Sequence, residues 1–247
     1  TPAAPARRYP EQLALVRDAA ARHARPGHGI PFWSVIQVSP RRERADAPYR
    51  REPTFAQIRW QAWVSVAYGA RGVFYWALRP TQGDPSGPGF GAGLLEADGS
   101  PNPALYDSLA GLDRDLHAAG PVLMTLTPVA VLCTPEVGSP GPSQDDSLLR
   151  ATRGFEILTP PGVGTPAVIV GYFRSAGGGE YALVVNADTR RAKSIAVGFR
   201  GPPCDIYRVA TPAGGRIAVA ARATRFETGD LPPGGGALFE LAPPGPR

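Results

Sequence analysis

Between Pro31 and Arg79 the chain reads as an apolar strand, a long basic loop, a capped helix and a second apolar strand. That order predicts a parallel βαβ unit, because parallel neighbours need a crossover connection and a helix supplies it. The first strand, Pro31 to Val38, is an almost continuous apolar run, the pattern of a parallel strand covered on both faces. Gln37, and Ser39 just beyond the strand, bring polar groups to its C-terminal end. The second strand, Gly72 to Leu78, repeats the pattern and brings Trp76 and Arg79 to the same rim. The C-terminal ends of parallel strands carry the chemistry of α/β folds, so a binding site is expected there.

The connecting helix is announced by Thr54-Phe-Ala-Gln57, a capping box in which the Thr hydroxyl and the Gln side chain satisfy each other's free backbone amides. Ile58, Ala62 and Val66 form its expected buried face, and Gly69 is placed to end it in a left-handed turn. The loop from Ser39 to Pro53 is long for a strand-to-helix connection, which is the habit of active-site and lid loops. Upstream, Thr1 to Arg8 is Pro/Ala-rich and expected to fray. Pro10 then suits a first helical position before Leu13, Val16 and Ala20, and Pro26-Gly27 stops that helix. Downstream, Pro80 to Gly93 reads as a loop and Asp98-Gly99 as a tight turn. Asn102-Pro103 caps a third helix through Leu105, Leu109, Leu112 and Leu116, which is expected to end at Gly120-Pro121.

After Pro121 the pattern changes. Short β-rich runs are expected at 128–133, 155–158, 167–174, 181–187, 193–199, 205–209, 225–227 and 237–241, punctuated by glycine and proline turns with no helix between them. Such a run predicts an antiparallel sandwich, with Val137 to Asp146 as a surface loop. The chain is therefore read as two domains. It opens on Thr1 inside a βα pattern, which suggests a piece of a longer polypeptide.

The formal charge of +5 raises the question of nucleic acid. The basic residues are nearly all arginine, Lys193 being the one lysine, and they are scattered rather than striped. In the densest run Arg41, Arg42, Arg44, Arg50 and Arg51 are diluted by Glu43, Asp46 and Glu52, so a solvated loop is expected and no nucleic-acid partner. No apolar run of about 18 residues is present, and no charged-then-apolar leader, so no membrane partner is read. Cys133, Cys204 and the three histidines lack metal-ligand spacing, and neither a metal nor another cofactor is implied. The two cysteines fit either a disulfide, if the protein is exported, or two free buried thiols.

The run Trp33-Ser-Val-Ile-Gln-Val-Ser-Pro40, then Arg59 and Ala67 to Trp76, then Phe90 to Gly99, resembles the last strands of a (β/α)8 glycoside hydrolase of the β-galactosidase type, family 42-like. The similarity covers roughly residues 9 to 126. The tail, with Tyr181 to Asn186 and a Pro/Gly turn before Ala237-Leu-Phe239, resembles the small β-sandwich that many such enzymes carry. The resemblance implies an α/β plus all-β chain. Residues 1–126 would be the C-terminal portion of a TIM barrel and 127–247 a β-sandwich domain. It also implies a carbohydrate substrate or ligand at the barrel mouth, with the upstream part of the barrel, or another subunit, as partner.

One departure matters for activity. Where the resemblance implies a nucleophilic glutamate this chain has Gln37, whose neutral amide cannot form a glycosyl ester. The family's acid/base glutamate would lie upstream of Thr1. A catalytically inactive barrel that binds glycans or braces a neighbour is therefore the alternative. Glu43 and Glu52 are the nearby carboxylates that could substitute. Gln37 is either a sugar-hydroxyl ligand or an amide satisfied by its neighbours. Trp76 is either a pyranose platform or core. Arg79 either holds substrate or pairs with Asp84. Trp33, Trp60 and Trp63 are expected to pack.

Overall fold

The computed structural model describes residues 4–24, 29–42, 51–81, 89–137, 154–159, 161, 163–209 and 215–245. Helix α1 (Ala4–Arg22) starts earlier than predicted and carries Pro10 inside it rather than at its first turn. The proline ring suits helical φ and removes one N–H donor. Leu13 and Ala14 are buried, whereas Val16, assigned to the same face from sequence, is exposed. The Tyr9 hydroxyl lies 2.9 Å from Ser34 Oγ and 2.7 Å from Ser65 Oγ, which ties α1 to the next strand and helix.

Next come β1 (Trp33–Gln37), β2 (Arg41–Arg42), α2 (Phe55–Ala67), β3 (Gly72–Trp76), β4 (Gly89–Phe90) and α3 (Tyr106–Leu123). β1 and β3 pair in parallel, from Trp33 opposite Gly72 to Gln37 opposite Trp76. These two strands are the whole of the parallel sheet among the described residues, and no closed (β/α)8 barrel is seen. Two strands cannot supply the tilt and stagger that closure requires. A second correction follows. Ser34, Ile36 and Val38 are buried, but Trp33, Val35 and Gln37 are exposed, so β1 is covered on one face and not on both.

α2 forms as its ends predict. Gln57 N donates to Thr54 Oγ1 (3.3 Å) and Thr54 N to Gln57 Oε1 (3.0 Å), completing the capping box. Gly69 follows at φ +95°, a left-handed conformation; a Cβ there would also meet the Pro128 ring at 2.8 Å. Its burial differs from the predicted single stripe. Ile58, Trp60, Ala62, Trp63, Val64, Ser65 and Ala67 are all buried. The reason is position: α2 touches β1 and β3 on one side and an antiparallel sheet on the other. A helix apolar on most sides is stable only when covered on most sides.

α3 begins at Tyr106 rather than directly after Asn102, and it runs through Pro121 to Leu123. Asn102 caps the preceding turn, its Oδ1 accepting from Ala104 N at 3.0 Å and its backbone carbonyl from Tyr106 N at 2.9 Å. Leu105, Leu109 and Leu112 are buried beneath the helix. The Arg71 guanidinium reaches the carbonyls of Leu123 (2.6 Å) and Leu126 (2.5 Å), placing a cation where the end of α3 concentrates negative charge.

The remainder is β: β5 (Leu126–Cys133), β6 (Glu156–Leu158), β7 (Val168–Ser175), β8 (Glu180–Asn186), β9 (Lys193–Gly198), β10 (Cys204–Val209), β11 (Arg216–Ala223), β12 (Arg225–Leu231) and β13 (Gly236–Ala242). Strands β11-β10-β13-β8-β7-β5 form a six-stranded sheet and β12-β9-β6 a three-stranded one, every pairing antiparallel. The predicted loop from Val137 lies, beyond that residue, outside the described residues.

Alternation gives the large sheet two buried faces. Val168, Val170, Val184 and Phe239 pack with Ile195, Val197 and Phe226 of the small sheet, whereas Ile169, Phe173, Leu183 and Leu238 join the cluster that contains α2. The loop between β12 and β13 closes onto α2. Gly234 has φ +71°, and a Cβ there would fall 2.1 Å from the Ala56 carbonyl. Neither Cys133 nor Cys204 forms a disulfide; Cys133 Sγ lies 3.5 Å from the Tyr68 hydroxyl. Among the described residues no helix is long and apolar enough to cross a membrane.

Candidate functional site

The strand register decides what meets at the rim. Gln37 and Trp76 are direct partners at the C-terminal ends of β1 and β3, and both side chains are on the exposed face. Trp76 is 50% exposed and meets Phe90 edge-on, with ring centroids 5.8 Å apart. Phe90 is held there by pairing of β4 with β2, Arg41 opposite Phe90 and Arg42 opposite Gly89. That small ribbon staples together the loops that follow the two strands. Phe90 is thus the rim residue that the sequence reading did not single out; its signal is an aromatic between glycines in a Gly/Pro-rich loop.

Beneath the rim, Ser39 joins the two strand ends. Its fully buried side chain accepts from Ala77 N (3.1 Å) and its Oγ lies 3.4 Å from the Trp76 carbonyl, to which it donates. Gln37 Nε2 donates to the Ser39 carbonyl at 2.8 Å. The Gln37 amide is therefore partly satisfied by a neighbour and still faces solvent. Arg79, also exposed, turns away: its guanidinium lies over the Asp98-Gly99 turn, 3.3 Å from where a Gly99 Cβ would be. Asp84, its expected partner, and Glu43 lie outside the described residues. Glu52 is exposed just before α2, and no hydrogen bond among the described residues ties it to the rim.

Below Trp76, the same face continues through Val35, Phe74 and Trp33, each more than half exposed. Trp33, expected to pack in a core, instead lies against Phe74 with centroids 5.0 Å apart, on a face that nothing described covers. Trp60 and Trp63 are buried in α2 as expected. A cavity of about 310 Å³ lies beside β3, lined by Trp33, Arg71, Tyr75, Asp113, His117 and Leu123 among others. There Tyr75 donates to Asp113 Oδ1 at 2.5 Å; burial and then that carboxylate hold the phenol above its usual range.

No family model matches this chain, and no curated protein matches it. Among solved structures it is similar to the rhamnosidase from Novosphingobium sp. PP1Y, at 18% identity and a TM-score of 0.29. The similarity covers 58% of this chain and 13% of that one, so the chain spans a small part of that protein's length. The structure itself defines an α/β unit with a two-stranded parallel sheet, packed through α2 on a pair of antiparallel sheets.

Proposed function

We propose that this chain is part of a carbohydrate-active, glycoside-hydrolase-like protein whose strand-end rim holds a glycan. In this reading residues 1–126 are a portion of a (β/α)8 barrel and residues 127–247 a β-sandwich domain. The observation that carries it is the pairing of Gln37 with Trp76, which puts a primary amide beside a half-exposed indole on one face. An indole offers an apolar surface to the C–H face of a pyranose, and an amide offers both a donor and an acceptor to its hydroxyls. Among the described residues the apolar face is uncovered and the outer edge of β3 is unpaired, which supports membership of a larger sheet, since such surfaces are seldom left open.

Binding without hydrolysis is the form favoured at this strand end, because a neutral amide cannot serve as a glycosyl acceptor. A test separates it from a retaining hydrolase. Gln37→Glu would restore a carboxylate, and a site lacking that group alone would gain turnover on aryl glycosides if an acid lay about 5 to 5.5 Å away. The binding reading predicts no gain, together with saturable binding of methyl β-galactoside or another glycan by the parent. Turnover in the variant would establish the hydrolase reading; no binding across a glycan panel would sink the proposal.

A further inference from the structure

β1 is bonded to β3 along one edge, and the direction of the bonds at its end is defined: Val38 N donates to Trp76 O at 2.8 Å. Successive residues of a strand send their backbone groups to opposite sides, so those of Gln37 point away from β3, toward an edge where another strand would pair. That place is taken by a side chain of α2. Gln61 Oε1 accepts from Gln37 N at 3.2 Å, and Gln61 Nε2 donates to Gln37 O at 3.3 Å. The second hydrogen of Nε2 goes to Gln57 O at 3.3 Å, in the first turn of α2, whose own side chain completes the capping box. One primary amide thus makes the two bonds that a neighbouring strand would make and anchors itself to the helix with the third.

We propose that Gln61 is a positioning residue for the rim: its amide stands in for a neighbouring strand at Gln37 and fixes the end of β1 opposite Trp76. This rests on the reading of the rim as a glycan site. No other side chain of similar length does the same work. Methionine offers neither bond, and glutamate keeps the acceptor for Gln37 N but has no donor for Gln37 O. The device also sets where a sheet can grow. A strand added beside β1 must stop short of Gln37 or displace Gln61, whereas β3 has no such guard among the described residues.

The test compares the parent with Gln61→Met and Gln61→Glu by backbone hydrogen exchange at the Gln37 amide, by melting and by titration with methyl β-galactoside. In the parent the Gln37 amide is protected. In Gln61→Met it exchanges about tenfold faster, as the loss of modest hydrogen bonds implies, and affinity falls severalfold while the protein stays folded. Gln61→Glu keeps more of the amide protection than Gln61→Met. Equal protection in the parent and Gln61→Met would overturn the edge cap. Lost protection with unchanged affinity would overturn the positioning role. If the parent binds no glycan, the functional reading fails and the positioning role fails with it, while hydrogen exchange still decides whether Gln61 caps the edge.

Discussion

Arg59 of α2 and Pro233 of the β12–β13 loop are joined by a two-pronged bond, Nε and Nη2 donating to the Pro233 carbonyl at 2.9 and 2.5 Å. A fully charged donor thus holds the loop that closes the antiparallel sheets onto the helix. Hydrogen bonds to charged groups contribute about 1.5 to 3 kcal/mol. Arg59→Ala is expected to lower unfolding stability by about that amount in urea denaturation, and Arg59→Lys to recover part of it. No change in the midpoint would mean that the bond is dispensable.

The same loop makes a sharper prediction at Gly234. A side chain there meets the Ala56 carbonyl and must adopt positive φ, which costs roughly 1 to 2 kcal/mol before any clash. Gly234→Ala should destabilise the protein well beyond that figure. Gly177→Ala, where a Cβ meets nothing within 4 Å, serves as the control and should be close to neutral. Equal melting temperatures for the two variants would contradict the close packing of loop on helix.

Stability should also fall in alkaline solution. Burial pushes the Cys133 thiol up to about 11, against the opposing pull of the Tyr68 hydroxyl and Arg17. The unfolded thiol titrates near 8.5, so the native state holds its proton more tightly. That contribution is whole below about pH 8.5 and is lost as pH rises through about 11. Cys133→Ala removes it, and the stability gap between parent and variant should narrow between about pH 8 and pH 11. A constant gap would show that the thiol titrates normally.

The face of the parallel pair that no described residue covers predicts solution behaviour. Trp33, Val35, Phe74 and Trp76 are each half exposed or more and form one continuous apolar patch, so the 247-residue chain should bind a hydrophobic dye and self-associate. Trp33→Thr with Phe74→Thr should reduce both with little loss of stability, because these side chains support no core. A monodisperse, dye-silent parent would contradict the open face.

What the sequence made legible follows from what is local. The Thr54 capping box and the left-handed Gly69 are decided by neighbours within four residues, and both form. Coverage is not local. Trp33 and Val35 are apolar whether a neighbouring layer exists or not, so their exposure could not be read. The burial of α2 on most sides had a signal, since Trp60, Trp63 and Val64 lie off the Ile58–Ala62–Val66 stripe. β11 was missed because Arg216 to Ala223 is an exposed edge strand rich in arginine and alanine, with little of the apolar alternation that marks a half-buried strand. At the rim, Gln37, Trp76 and Arg79 were picked out by strand position alone. That a helix side chain, Gln61, would bond the Gln37 backbone depends on how α2 docks, which no spacing records.

The most direct measurement is glycan titration and thermal melting of Trp76→Ala beside the parent. A half-exposed rim indole supports ligand rather than core, so glycan affinity is expected to be lost while the melting temperature changes little. A buried tryptophan truncated to alanine would instead cost roughly 3 to 5 kcal/mol. Collapse of stability with normal binding by the protein that stays folded would show that Trp76 is core and that the rim is not a glycan site.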